Sequence, residues 1–278
     1  DIDDEEQTVS VIPPAIETFA SDTLDGDKIV AAHEKTQILD AVSYDGLQPG
    51  ATYEFVGTLM DKKAETPLLT AQGQPAQALR SFTPNQPSGI VDVTFSFDAS
   101  NNSEEQEAVI FEELYRDGKL IATHADYENT AQTVNLAPPH IETSASDAAD
   151  DDKDIENDGP ATIIDTVSFT GLIAGENYEL DGALMIDDGT IEGTPARDAF
   201  GNPITAHLNF TPEASHGNVS VSFEVDTTLL KNDTKLVAFE QLFANDTLMT
   251  EHADIHDENQ TAVSYTHLRA HETLANLV

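Results

Sequence analysis

Apolar and polar residues alternate along short stretches of this chain. Val91-Asp92-Val93-Thr94-Phe95-Ser96-Phe97 puts an apolar side chain at every second position, and Val219-Ser220-Val221-Ser222-Phe223-Glu224-Val225 does the same. A period of two marks a strand with one face buried. Turn-forming pairs separate such runs: Pro49-Gly50, Asp117-Gly118, Asn202-Pro203 and Asn245-Asp246. No long segment carries the period of an amphipathic helix, so the pattern predicts an all-β protein.

The pattern is written twice. Pro13-Pro14-Ala15-Ile16-Glu17-Thr18-Phe19-Ala20-Ser21-Asp22 returns as Pro138-Pro139-His140-Ile141-Glu142-Thr143-Ser144-Ala145-Ser146-Asp147, 125 residues later, and Leu39 to Tyr44 returns as Ile164 to Phe169 at the same offset. Phe82-Thr83-Pro84, Ile110-Phe111-Glu112 and His124-Ala125-Asp126 recur at an offset of 128, so the copies differ in length by a three-residue insertion. Self-similarity at a fixed period is the signature of an array. Several short alternating strands in about 125 residues read as a sandwich. The expected fold is therefore two tandem immunoglobulin-like β-sandwich domains, residues 13–137 and 138–263. Residues 1–12 repeat the end of each copy, with Gln7 placed like Gln132 and Gln260, and are expected to be the C-terminal strand remnant of a preceding copy whose Gln7 keeps a free amide. Residues 264–278 have no counterpart upstream, resemble translated adaptor sequence, and are expected to lie outside the fold.

Composition narrows the function. Of 278 residues, 52 are acidic and 12 basic, a formal charge of −40. Nucleic acid is a poor partner for such a surface. There is no cysteine, which excludes disulfides and thiolate metal sites. No apolar run is long enough to span a bilayer. Leu24 to Asp27 and Asp150 to Asp158 read as solvated acidic loops. Asp150, Asp152 and Asp154 raise the question of calcium, but no Gly follows at the spacing an EF-hand loop needs, so neither metal nor cofactor is expected.

Certain polar residues are ones a plain sandwich would not need. Alternation puts Asp40 on the face of Ile38, Val42 and Tyr44, and Asp165 on that of Ile163, Val167 and Phe169. A carboxylate there is costly without a partner. Glu112 and Glu240 follow the same Phe in both copies. Counting across the hairpin turn puts Glu112 opposite His124, or one residue away, and Glu240 likewise near His252. Eight residues of continuous strand would hold His124 and Gln132 about 26 Å apart, but the polar segment between them can loop. Gln132 would then open the last strand antiparallel to the His124 strand. If the first strand lay parallel beside the last, Thr18 would sit next to Gln132. A hydroxyl, an imidazole, two carboxylates and a primary amide form a reactive set. The hydroxyl needs a base to become a nucleophile, and a paired His and acid can take its proton and pass it to departing ammonia. The product is a Thr–Gln ester, formed once and not turned over, so no turnover enzyme is expected.

These residues resemble the ester-bond-containing (VaFE, or T-Q ester) immunoglobulin-like repeats of Gram-positive surface adhesins. The resemblance lies in Ile-Glu-Thr-x-Ala-Ser-Asp, the Asp40 strand with Leu47 to Tyr53, Gly57 to Asp61, Phe82-Thr83-Pro84, Phe111-Glu112, His124-Ala125-Asp126 and Gln132-Thr133-Val134. It implies Thr18 joined to Gln132 with Asp40, Glu112 and His124 assisting, and Thr143 joined to Gln260 with Asp165, Glu240 and His252. It also implies a wall-attached extracellular stalk whose partners are neighbouring repeats, with any host ligand bound by a tip domain elsewhere in the parent protein.

Three other readings compete. Isopeptide chemistry needs an equivalent buried Lys in each copy, and Lys28, Lys35, Lys62, Lys63 and Lys119 are read as having no match among Lys153, Lys231 and Lys235. A ligand-binding adhesin module should differ from its neighbours at the binding loops, whereas these copies are near duplicates joined through Pro-Pro linkers, which act as semi-rigid spacers. A glycosidase could use the Asp and Glu pair, but that leaves the recurring Thr and Gln unexplained and the chain has no Trp for a sugar platform.

Overall fold

The computed structural model describes residues 12–265; Gln7 and residues 266–278 lie outside them. The first copy contains β1 (Ala15–Asp22), β2 (Ile29–Ala31), β3 (Thr36–Asp45), β4 (Tyr53–Asp61), β5 (Thr66–Pro67), β6 (Gln77–Phe82), β7 (Gly89–Phe97), β8 (Gln106–Arg116), β9 (Lys119–His124) and β10 (Thr133–Ala137), with a 3-10 turn at Thr130–Gln132. One sheet has the order β1-β3-β7. The other runs β2-β10-β8-β4-β5, with β6 also on β4 and β9 also on β8. The second copy repeats this order with β11 (His140–Asp147), β12 (Asp154–Glu156), β13 (Pro160–Thr170), β14 (Tyr178–Ile186), β15 (Thr194–Pro195), β16 (Thr205–Phe210), β17 (Gly217–Asp226), β18 (Lys235–Ala244), β19 (Thr247–His252) and β20 (Thr261–Tyr265). The chain is all-β, two tandem immunoglobulin-like sandwiches, and each is a compact unit.

Alternation decides which side chains fill each sandwich. β3 turns Ile38, Asp40, Val42 and Tyr44 inward, and β8 meets it from the opposite sheet with Ala108, Ile110, Glu112 and Leu114. Phe55, Leu59 and Phe95 pack between them with no exposure, each contributing about 1.5–3 kcal/mol of burial. The β8–β9 hairpin closes on Asp117 and Gly118, both at positive φ (51° and 72°). The second copy does so with Asn245 and Asp246 (48° and 60°). Two successive left-handed residues twist the turn in the same sense as its strands, and this turn sets the register that pairs Glu112 with His124.

Strand pairing differs from the sequence expectation in two places. The first strand does not lie beside the last: β1 pairs antiparallel with β3 in the smaller sheet, with Thr18 opposite Val42 and Ala20 opposite Asp40. The parallel neighbour of β10 is β2, pairing Ile29 with Asn135. Nor does β10 run antiparallel to the His124 strand: both are antiparallel to β8 and so point the same way. β10 takes the Gln106–Val109 part of β8, and β9 takes the part from Glu112 to Arg116, so the two share one edge of β8. These pairings are non-local, and no local alternation encodes them. The acidic stretch Asp150 to Asp158 is also not all loop, since β12 lies within it and buries Ile155. Ser264 and Tyr265, assigned to the tail by sequence, complete β20 and pair with Ile155 and Glu156. Among the described residues no helix is long and apolar enough to cross a membrane.

Candidate functional site

The shared edge of β8 creates the site. Between the end of the β10 ladder at Val109 and the start of the β9 ladder at Glu112, neither ladder pairs a residue on that side; in the second domain the Ala238 N–H reaches the Gln260 backbone carbonyl there at 3.0 Å. Gln132, at the end of the 3-10 turn, fills this gap with its side chain. Its amide nitrogen donates to the Ile110 carbonyl at 2.7 Å and to the His124 carbonyl at 3.4 Å. Gln260 does the same to Ala238 (2.7 Å) and His252 (3.0 Å). The turn itself is held by Asn129, whose side-chain oxygen accepts from Ala131 N–H.

The other members converge on this gap. Glu112 pairs directly with His124, and Glu240 with His252. Thr18 and Asp40 come from the opposite sheet, one diagonal step apart on its inner face. Asp40, Glu112 and Gln132 are fully buried and Thr18 nearly so, as are Asp165, Glu240, Gln260 and Thr143. Thr18 Oγ1, both Asp40 oxygens, both Glu112 oxygens, Gln132 Oε1 and His124 Nδ1 are buried with no hydrogen-bond partner. In the second copy the same holds for Thr143 Oγ1 and all four carboxyl oxygens of Asp165 and Glu240. Leaving so many buried polar atoms unpaired is costly, and it happens at the same place twice.

The carboxyls are coupled. Burial drives the Asp40 pKa up, to about 7, although Glu112, Thr18 and Lys28 nearby draw it down. Burial drives Glu112 further, to about 10, and the charge of Asp40 adds to the rise. Asp165 and Glu240 rise for the same leading reason, Glu240 the more. Side by side in a dry pocket, two such carboxyls disfavour ionising together, so the pair holds on to a proton well above the usual carboxylate range. The oxygens of Asp40, Glu112 and Thr18 fall short of good hydrogen-bond geometry, yet lie near enough to shift one another's proton affinity.

Gly57 sits opposite Glu112 on β4. A Cβ there would overlap the Glu112 carboxyl and come within 2.5 Å of the Phe95 ring. Gly182 faces Glu240 and Phe223 in the same way, at 2.6 and 2.8 Å. These glycines make room for the acid and its aromatic neighbour.

The family model for the T-Q ester bond containing domain matches residues 14–136 and 139–264. The chain belongs to that family. Among solved structures it is similar to a bacterial adhesin from Mobiluncus mulieris containing intramolecular disulfide, isopeptide and ester bond cross-links, at 10% identity and a TM-score of 0.39, over 92% of this chain and 99% of that one. It is also similar to the C-terminal domain of the Streptococcus agalactiae antigen I/II polypeptide BspA (13%, TM-score 0.35, 91% and 100%). A third is the C-terminal domain of the Streptococcus pyogenes antigen I/II-family protein AspA (9%, 0.33, 92% and 100%). A comparison with curated protein sequences returns no match. Membership rests on the family model.

Within these two T-Q ester domains, sequence reasoning missed three positions. Lys28 and Lys153 do match, at the same offset of 125 as the Thr strands, which corrects the reading that no Lys recurs. Lys28 donates to the carbonyls of Ala20 and Ala131, the latter at 2.7 Å. Lys153 donates to those of Ala145 (2.9 Å) and Asn259 (2.6 Å). The offset was the available signal, masked by the acidic residues around each Lys. The second is Gly57 with Gly182, where Gly57 entered only as part of the resemblance and was given no role in the site. The third is Asn129 with Asp257, equivalent but different in type: Asn129 Nδ2 lies 3.2 Å from His124 Nε2, and an Asp257 oxygen 3.2 Å from His252 Nε2.

Away from these clusters, one group among the described residues could offer metal-ligating atoms: Glu179, Asp181 and His207, on the outside of the second domain. His207 already bonds Asp181 at 2.7 Å and Asn209 at 2.9 Å. The acidic loop is occupied in another way, since Asp147 and Asp152 side chains accept backbone N–H groups of Ala149 and Asp154.

Proposed function

We propose that each domain joins its own Thr to its own Gln, Thr18 to Gln132 and Thr143 to Gln260, through a single self-catalysed ester. The observation that carries this reading is the doubly occurring cluster of a buried Thr, a buried Gln and two buried carboxyls beside a half-buried His, in which the Thr hydroxyl and all four carboxyl oxygens lack hydrogen-bond partners in both copies. Thr18 Oγ1 attacks Gln132 Cδ, the C–N bond breaks, and ammonia leaves with the hydroxyl proton. His124 takes that proton and passes it to the departing nitrogen. Asp40 orients the hydroxyl. Glu112, kept protonated by burial, donates to the Gln132 carbonyl oxygen as negative charge develops there. No residue is left to reset the site, so each domain reacts once.

The segment then serves as a stalk of a wall-attached surface adhesin, its ligand bound elsewhere. The ester encloses 114 residues (132 − 18). By analogy with a disulfide closing about 100 residues, it stabilises the fold by on the order of 4.7 kcal/mol. Load entering near β1 and leaving near β10 passes through the bond, which replaces the disulfides that a cysteine-free chain cannot make.

The matched Lys pair favours a second reading, a Lys–Gln amide, which also releases ammonia. Against it, both Lys ammonium groups already bond two carbonyls each. Intact mass should fall by one ammonia (about 17 Da) per domain, about 34 Da in all. Mild alkali or hydroxylamine should reopen an ester and leave an amide intact. A wild-type mass equal to that of the unmodified chain would sink the proposal. So would a Thr18→Ala Thr143→Ala protein that still loses ammonia.

A further inference from the structure

Lys28 and Lys153 have no part in the proton transfers above, yet each reaches both elements that carry the reacting atoms. Lys28 Nζ bonds the carbonyl of Ala20, two residues beyond Thr18 on β1, and that of Ala131, the residue immediately before Gln132. Lys153 repeats this on Ala145 and Asn259, the equivalents beside Thr143 and Gln260. The need for such a tie follows from topology. β1 and β10 belong to different sheets, so no strand ladder holds the hydroxyl against the amide before the bond exists. Each Lys also lies close enough to feel the neighbouring carboxylate, Asp40 in the first domain and Asp165 in the second, where Asp257 adds to it. Lys28 additionally packs over the Phe19 ring at 4.1 Å.

We propose that Lys28 and Lys153 are positioning residues for the cross-linking reaction, clamping the Thr-bearing strand to the peptide that precedes the reactive Gln and placing a positive charge beside Asp40 and Asp165. The inference rests on the ester reading. It also predicts an asymmetry. In the second domain Ala145 N–H donates to the Asn259 carbonyl at 2.9 Å. Among the described residues no such bond from Ala20 to Ala131 accompanies Lys28. The first domain therefore depends more heavily on its Lys.

The test uses the full chain carrying Thr143→Ala, so that only the first domain can react, and follows ammonia loss by intact mass after refolding. The parent should lose one ammonia. Lys28→Met should slow that loss by about tenfold or more, as removal of a charged hydrogen-bond donor requires, and Lys28→Arg should restore most of it. Lys153→Met in a Thr18→Ala chain should slow the second domain less. That variant also carries the test if Lys28→Met does not fold. Parental rates in both Met variants overturn the inference, as does Lys28→Arg reacting no faster than Lys28→Met. A parent that keeps its ammonia instead defeats the ester reading itself. A Thr18→Ala Thr143→Ala chain that loses ammonia only while its Lys is present identifies Lys as the nucleophile, which overturns both.

Discussion

The two domains share a fold, a register and a reactive set, and differ in what stands behind the histidine. In the second domain the Asp257 carboxylate faces His252 Nε2, so the ring proton sits there and Nδ1 is the acceptor. It accepts the Thr143 N–H at 3.2 Å, on the Thr side of the ring. In the first domain Asn129 Oδ1 is occupied by Ala131 N–H, so its NH2 is the group facing His124 Nε2. An NH2 can only donate, which makes Nε2 the acceptor and puts the ring proton on Nδ1. The domains therefore favour opposite tautomers, and His124 must first move its ring proton to Nε2 before it can take the Thr18 proton. Only in the second does the lone pair point toward the threonine. Duplication preserved the parts and changed their readiness: the second domain should cross-link faster.

The most damaging way to probe the comparison removes the ring. His124→Ala and His252→Ala should each slow ammonia loss in their own domain by about 10²- to 10⁴-fold, the range for a lost general acid–base. Domain-resolved peptide masses would check this, and equal loss in both domains from one substitution would contradict their independence. Next, Gly57→Ala should displace Glu112 or Phe95 and cost about 1–3 kcal/mol by overpacking, measured as a lowered melting temperature in the Thr18→Ala Thr143→Ala background. Gly182→Ala, whose contacts are slightly longer, should cost less. The exchange of Asn129 and Asp257 aims at the difference itself. Asn129→Asp should speed the first domain and Asp257→Asn slow the second, each by about tenfold. Rates that stay put would show that tautomer does not limit the reaction.

The last effect is one on which the domains should agree. In the chain lacking both Thr hydroxyls, Asp40 and Glu112 have folded pKa values above those of free carboxyls, mainly through burial. The folded state thus binds more protons than the unfolded state. Stability should be greatest below about pH 4 as far as these groups are concerned, and fall as pH rises toward about 7 for Asp40 and about 10 for Glu112. The slope is at most about 1.4 kcal/mol per pH unit for each proton held. Asp165 and Glu240 shift in the same direction. Urea titrations at stepped pH would reveal a fall of that sign, and a rise would contradict the shared-proton pair.

Much of this was legible in the residues. Alternation exposed Asp40 and Asp165 as inward acids, and hairpin counting set Glu112 against His124, because both are local consequences of period and turn type. The partner of β10 was not legible. β2 is three residues long and follows an acidic turn, so nothing nearby marks it as the strand that takes the parallel position. Asn129 and Asp257 escaped because a search for identical residues passes over a position whose importance lies in its change. Lys28 and Lys153 escaped because each sits among acids that read as solvent-facing, although its amine turns back to two carbonyls.

The gap on the edge of β8 has one more consequence. In the proposed reaction, the nitrogen that would leave as ammonia is the same nitrogen that satisfies the Ile110 and His124 carbonyls. Each domain would thus exchange two hydrogen bonds for one covalent bond and end with a pair of acceptors facing each other where a donor used to be. A water molecule has the two donors that this berth requires. A crystal structure of the matured protein should show one, or a retained ammonium, between Ile110 O and His124 O and again between Ala238 O and His252 O. A domain that matures would carry its own hydration mark.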